Sequence, residues 1–163
     1  MIKELEPFDQ WTKEYWIKVR KYRKKYCKDN YKKLKEYSAR YYRNRYRTDL
    51  KFNLNSRITG GIRISLKGNK NGRHWENLVG YTTKDLIKRL QKTMPKGYDW
   101  NDYLEGKLQI DHIIPKSVFN YTKPEHTDFK RCWALSNLQL LPAKENLVKN
   151  NKLSRPFQLA LQI

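Results

Sequence analysis

The sequence predicts an α+β protein: a basic helical N-terminal region, a helical middle, and a small C-terminal core ordered strand, loop, strand, helix. Three observations carry this. Residues 11–50 contain no Gly or Pro and repeat apolar positions at helical spacing. Residues 51–106 alternate short helical patterns with Gly, Pro and Asn turns. Residues 107–163 hold two short apolar runs, the second followed by a helix that Pro142 opens. The expected division is therefore 1–50, 51–106 and 107–163.

The 163 residues suffice for one domain, or one domain with an appendage. Lys and Arg number 36 against 16 Asp and Glu, a net charge of +20. So large a charge repels itself and points to a polyanionic partner. Nucleic acid is the first candidate. An anionic membrane is the second, but no long apolar run or lipidation signal supports it. Met1 to Pro7 has no apolar stretch after a basic one, so it does not read as a signal peptide. Cys27 and Cys132 lie far apart, and no CxxC pair exists. A four-cysteine zinc site is thereby excluded, and free thiols fit a cytosolic protein.

From Trp11 to Leu50, fifteen Lys and Arg stand against four acids, a net +11. Tyr15, Val19, Tyr22 and Tyr26 recur at helical spacing, as do Leu34, Tyr37 and Tyr41. Asp29-Asn30 is the plausible break. The stretch from Arg20 to Tyr26 is echoed from Arg40 to Tyr46, which fits a helical hairpin or one long helix. The tyrosine stripe reads as helix packing ahead of base stacking, because stacking needs several tyrosines exposed beside Lys and Arg. The charge itself reads as a grip on DNA, with Arg20, Arg23, Arg40, Arg43, Arg45 and Arg47 as binding candidates.

In the middle region Leu54, Ile58, Ile62 and Leu66 stand four apart and predict a helix, which Gly60-Gly61 weakens. Thr82 or Thr83 caps a helix with Leu86, Ile87 and Leu90 on its apolar side, ended by Pro95-Lys96-Gly97. Trp75, Trp100 and Tyr103 are the expected core anchors. In the last region Leu108-Gln109-Ile110 and Ile113-Ile114 predict a strand around the polar pair Asp111-His112. A loop of some twenty residues runs through Pro115 to Arg131. Leu138 to Leu141 is the second strand. Glu145 then suits the first turn of the last helix, where the dipole favours an acid. The apolar core here is expected to include Trp133, Leu135, Leu138, Leu140 and Leu147.

Phosphodiester hydrolysis needs a base for water and a cation for the charge growing on the phosphate and the leaving oxygen. Histidine suits the first task because it titrates near neutrality. Carboxylate and amide oxygens suit a hard divalent ion, Mg²⁺ or Mn²⁺. Asp111-His112 supplies a carboxylate and an imidazole side by side, and extended backbone turns them to opposite faces. Asn146, early in the last helix, offers a neutral amide oxygen. Asn137, just before the second strand, is placed to hydrogen-bond backbone across the loop and hold His112. Lys116, Lys144, Lys149 and Lys152 can meet phosphate oxygens. Asn150 is a further metal or phosphate contact, or a solvated side chain.

These segments resemble the HNH endonucleases, also called His-Me finger or ββα-metal nucleases. Leu108-Gln-Ile-Asp-His-Ile-Ile-Pro115 is similar to that family's first strand. Cys132-Trp-Ala-Leu-Ser-Asn-Leu-Gln-Leu-Leu-Pro-Ala-Lys-Glu-Asn146 is similar to its second strand and metal-binding helix. The match runs from Leu108 to Leu153, with a looser one back to Asn53. The resemblance implies a ββα-metal (HNH) core. It implies His112 as general base, Asp111 and Asn146 as ligands of one divalent metal, and Asn137 as the structural asparagine. The last motif residue is Asn where other members carry His, a variant common in homing and phage nucleases that leans to Mg²⁺ or Mn²⁺ over zinc. The cysteines that hold structural zinc in many members do not occur in this chain. The resemblance further implies DNA as substrate and the cytoplasm of a bacterial cell or phage-infected host as location. A homodimer is expected if both strands are cut. The rival expectation is a non-catalytic basic protein that binds DNA or RNA.

Overall fold

A computed structural model describes residues 12–153. The Met1 to Pro7 reading and the end of the chain after Leu153 lie outside them. The protein is mixed α and β, mostly helical, with one two-stranded antiparallel sheet. It divides into two compact units, Met1–Asn44 and Arg45–Ile163. Among the described residues no helix is long and apolar enough to cross a membrane.

The first unit holds α1 (Lys13–Asp29) and most of α2 (Tyr31–Thr48). Thr12 caps α1 by accepting from the Tyr15 N–H. Asn30 interrupts the helix at φ −105° and ψ 14° without turning the chain back. The Asn30 N–H still reaches the Tyr26 carbonyl, and the Leu34 N–H still reaches the Asn30 carbonyl, both at 2.9 Å. Of the two sequence alternatives, the helical hairpin is therefore not formed. The expectation that the tyrosine stripe packs is overturned as well. Neither helix buries any residue.

The second unit is built on α3 (Leu50–Ser65), capped by Asp49 through the Phe52 N–H at 2.9 Å. Leu54, Ile58 and Ile62 line its buried side and Leu66 continues the row. Against it lie α4 (Trp75–Val79), α5 (Thr83–Lys92) and α6 (Trp100–Leu104). Thr82 and Asp85 close a capping box on α5, and Asp99 and Asp102 close another on α6. Trp75 and Tyr103 are fully buried, as expected of anchors, whereas Trp100 is half-buried. Its indole N–H is spent on Gln91 at the surface. Asn53 is a buried polar residue with both ends of its amide engaged. It donates to the Tyr46 carbonyl and accepts from the Tyr103 hydroxyl and the Arg57 Nε.

The sheet pairs β1 (Leu108–His112) with β2 (Leu138–Pro142), Leu108 facing Pro142 and His112 facing Leu138. The two strands sort their side chains by alternation. Leu108 and His112 of β1, with Leu138 and Leu140 of β2, are buried. Gln109, Asp111 and Gln139 take the other face, where Gln109 and Asp111 meet α8 (Ala143–Lys149) and Gln139 bonds Asp111. The outer edge of β2 is covered by α5: Arg89 donates to the Leu138 and Ser136 carbonyls, and Thr93 accepts from the Leu140 N–H. Between the strands, the expected loop carries structure of its own. It holds a 3-10 turn at Lys116–Val118, α7 (Thr127–Cys132) and a second 3-10 turn at Leu135–Asn137. Buried Asp128 ties it down by accepting from the Asn120 N–H. One core expectation fails. Leu147 is 82% exposed, because α8 turns Asn146 and Lys149 to the sheet and Leu147 outward.

Candidate active site

A cleft of about 410 Å³ opens between α3, the end of β1 and the end of α8. Its lining includes Arg57, Gly61, Asp111, His112, Lys116, Trp133, Asn146 and Asn150. The structure thus brings three of the four motif residues, Asp111, His112 and Asn146, to one cavity. The fourth, Asn137, lies behind it.

Asn137 is buried and clamps the chain that leaves β1. Its Oδ1 accepts from the Ile114 N–H at 2.8 Å. Its Nδ2 donates to the carbonyls of Ile114 and Cys132 at 3.2 and 2.9 Å. Its own carbonyl accepts from the Ile113 N–H at 2.8 Å. Three of these bonds fix the two residues after His112, and the fourth ties them to the end of the intervening loop at Cys132. The backbone hydrogen bonding expected of Asn137 is present.

His112 sits on the core face of β1, 8% exposed. The Trp133 ring meets it edge-on at 4.8 Å. The Trp133 position depends on Gly61 of α3, where a Cβ would stand 2.8 Å from the indole. Gly60-Gly61, which weakens the helix prediction, therefore has a reason in packing: the indole needs that space. The His112 Nε2 is buried and has no hydrogen-bond partner among the described residues. Burial, then the charges of Lys116 and Lys149, push its pKa down to about 3. The near-neutral titration expected of a histidine base is not met in this structure: the imidazole is held neutral, with a nitrogen lone pair or proton left unspent.

Asp111 faces the other way, toward α8. Gln139, its cross-strand partner, donates to its Oδ2 at 2.9 Å. Lys149 places its ammonium across both carboxylate oxygens, 3.0 Å from Oδ1 and 2.9 Å from Oδ2, and 2.6 Å from the His112 carbonyl. The expectation that Lys149 stands ready for phosphate is corrected. In this structure it is a partly buried counter-ion of Asp111. Asn146 donates its Nδ2 to the Gln109 Oε1 at 2.8 Å, which orients its Oδ1 as the remaining acceptor.

Asn150 does not continue the helix face of Asn146. It lies just past α8 at φ 46° and ψ −128°, a conformation costly for a residue with a Cβ. Its N–H still closes on the Asn146 carbonyl, and its side chain borders the cleft. Lys116 is exposed at the rim, with its ammonium 5.7 Å from the Trp133 ring centre. Lys144 and Lys152 are exposed outside the cleft lining. Arg20, Arg23, Arg40, Arg43, Arg45 and Arg47 are all exposed on α2 or α1. Arg45 also pairs with Asp49 at 3.1 Å.

Sequence reasoning missed Arg57, Gly61, Gln109 and Gln139. Strand alternation was the available signal for the glutamines, since Gln109 and Asp111 share a face of β1. Among the described residues no three His, Cys, Asp or Glu side chains converge. An Asp–Asn oxygen pair falls outside that grouping, because amide oxygens are hard donors too. Compared with protein-family models, with curated proteins and with solved structures, the chain gives no match.

Proposed function

We propose that the protein is a metal-dependent HNH-type endonuclease that hydrolyses DNA phosphodiester bonds, nicking one strand or cutting both. One observation carries the reading: neighbouring β1 residues present a buried, neutral imidazole and a carboxylate from opposite sheet faces into one cleft, beside Asn146. A base and a cation site can then approach one phosphate without competing for the same position.

The donor set fits a hard divalent ion. Asp111 already holds a cation, the Lys149 ammonium, and Gln109 orients the Asn146 oxygen. Asp111 and Asn146 would hold Mg²⁺ or Mn²⁺, with room left for water and phosphate oxygens, and Asn150 borders the same space. Such an ion supplies Lewis-acid stabilisation of the phosphate and the leaving oxygen. His112 takes the proton of the attacking water at its unpartnered nitrogen, while Asn137 fixes its position. Lys116 at the rim meets a phosphate oxygen, with Lys144 and Lys152 near the approach. The first unit grips DNA by displacing counterions, each neutralised phosphate steepening the salt slope by about 0.9 in log–log units. One site per chain makes a double-strand break the work of a homodimer or of two successive nicks.

A second reading has one observation in its favour. Lys149 already neutralises Asp111, so the cleft is electrostatically complete without a metal. A protein that binds nucleic acid without cutting it fits that state. Incubation with supercoiled plasmid separates the two. Nicked circles or linear product are expected with Mg²⁺ or Mn²⁺ and none with EDTA. His112→Ala should lower the rate roughly a hundredfold or more while DNA binding persists. Intact plasmid under every metal supports the second reading, and wild-type turnover in His112→Ala removes the base assignment.

A further inference from the structure

Helices of the length of α1 and α2 are ordinarily held by an apolar face against a core. These two bury no residue, yet they are rich in tyrosine. Tyr22 is 70% exposed, Tyr37 61%, and Tyr26 and Tyr41 49% each. Spacing of four sets Tyr22 beside Tyr26 on α1 and Tyr37 beside Tyr41 on α2. Each pair has the same basic frame, with a cation four residues before its first tyrosine and another three after it. These cations are Lys18 and Lys25 on α1 and Lys33 and Arg40 on α2, all exposed.

The Tyr22 and Tyr26 rings lie 6.4 Å apart and 26° from parallel. Two stacking intervals of a nucleic-acid strand come to about 6.8 Å. A small splay of two exposed side chains therefore admits one flat base between them. A duplex offers phosphates to the cations but keeps its base faces closed by stacking. An unpaired strand offers both. We propose that the framed tyrosine pairs of α1 and α2 bind single-stranded DNA, the rings stacking on unpaired bases and the flanking Lys and Arg holding the phosphates. This rests on the reading of DNA as the partner of the first unit and is independent of cleavage.

The test uses the full chain in EDTA, with fluorescence anisotropy on a labelled single strand, the matching duplex and the matching RNA. The variant Tyr22→Ala/Tyr26→Ala/Tyr37→Ala/Tyr41→Ala should lose about tenfold or more in single-strand affinity. It should change duplex affinity less than about twofold, because the cations remain. The corresponding four Tyr→Phe changes keep the ring faces and should stay near wild type on both. Photocrosslinking of the wild type to an iodouracil-bearing single strand should label the same tyrosines, which guards against a variant that loses helix. Equal losses on strand and duplex, no loss on the strand, no crosslink at these tyrosines, or a tyrosine-dependent preference for RNA each overturn the proposal. Failure of the wild type to bind any of the three overturns the DNA-partner reading itself.

Discussion

Two helices of this protein carry the same period and end differently. In α1, Tyr15, Val19, Tyr22 and Tyr26 repeat at helical spacing; in α3, Leu54, Ile58 and Ile62 do. The α3 row is at the centre of the core, while the α1 row stays at the surface. Period reports that a helix forms. Residue type reports what the helix is for. Aliphatic side chains have nothing to do in water, so α3 must be covered. Tyrosine carries a hydroxyl, and here it is interleaved with lysines whose charge resists close packing. The difference separates a helix that makes the core from one whose row of side chains stays at the surface.

The widest expected contrast lies in stability. Leu54→Ala should cost about 2–5 kcal/mol, because it leaves a cavity at a fully buried position. Tyr22→Ala should stay within about 0.5 kcal/mol. Urea denaturation of both variants checks this, and a comparable loss from Tyr22→Ala would mean that the first unit has a hidden core. Next comes the glycine that joins fold to site. Gly61→Ala puts a methyl 2.8 Å from the Trp133 indole and should cost about 1–3 kcal/mol. Gly60→Ala, with nothing within 4 Å, should be neutral or slightly stabilising in the same thermal melts.

A smaller effect, with two opposite signs, is expected at Lys149. Lys149→Met removes the ammonium from Asp111 and leaves a largely buried carboxylate with Gln139 as its remaining side-chain donor. The metal-free protein should melt at lower temperature. Mn²⁺, no longer displacing a cation, should bind about tenfold tighter by calorimetry, the ratio that roughly 1.4 kcal/mol of competition represents. Tighter binding without the apoprotein loss, or weaker binding, would remove Lys149 as the competitor. The least effect is expected in acid. Hydrogen bonds from the Thr83 hydroxyl and N–H hold the Glu76 carboxyl below its usual range. Its stabilisation is present above the unfolded carboxylate pKa and is lost as pH falls through the lowered folded value. Glu76→Gln should therefore flatten the acid limb of a stability–pH curve by lowering stability slightly at neutral pH, and leave the most acidic end almost unchanged.

Much of this was legible in the chain itself. Asp111, His112 and Asn146 reach one cleft, Asn137 clamps the turn behind them, and Thr82 caps α5, all from local sequence. Contacts set by tertiary approach were not legible. No local pattern tells that Lys149 crosses to Asp111, that Gly61 makes room for Trp133, or that Arg57 from α3 lines the cleft. Leu147 misled because its neighbours Asn146 and Lys149, polar by type, take the sheet-facing side of α8. The strand register would have warned of this, since Gln109, Asp111 and Gln139 make the face under α8 polar.

Under the proposed function, the second unit does the chemistry and the first unit supplies grip. Plasmid cleavage by a chain beginning at Arg45 tests this most directly. With Mn²⁺ at low salt the shortened protein should melt cooperatively and nick plasmid, with weaker DNA affinity and a flatter salt dependence than the full chain. A folded fragment that leaves plasmid intact while the full chain cuts it would contradict the account.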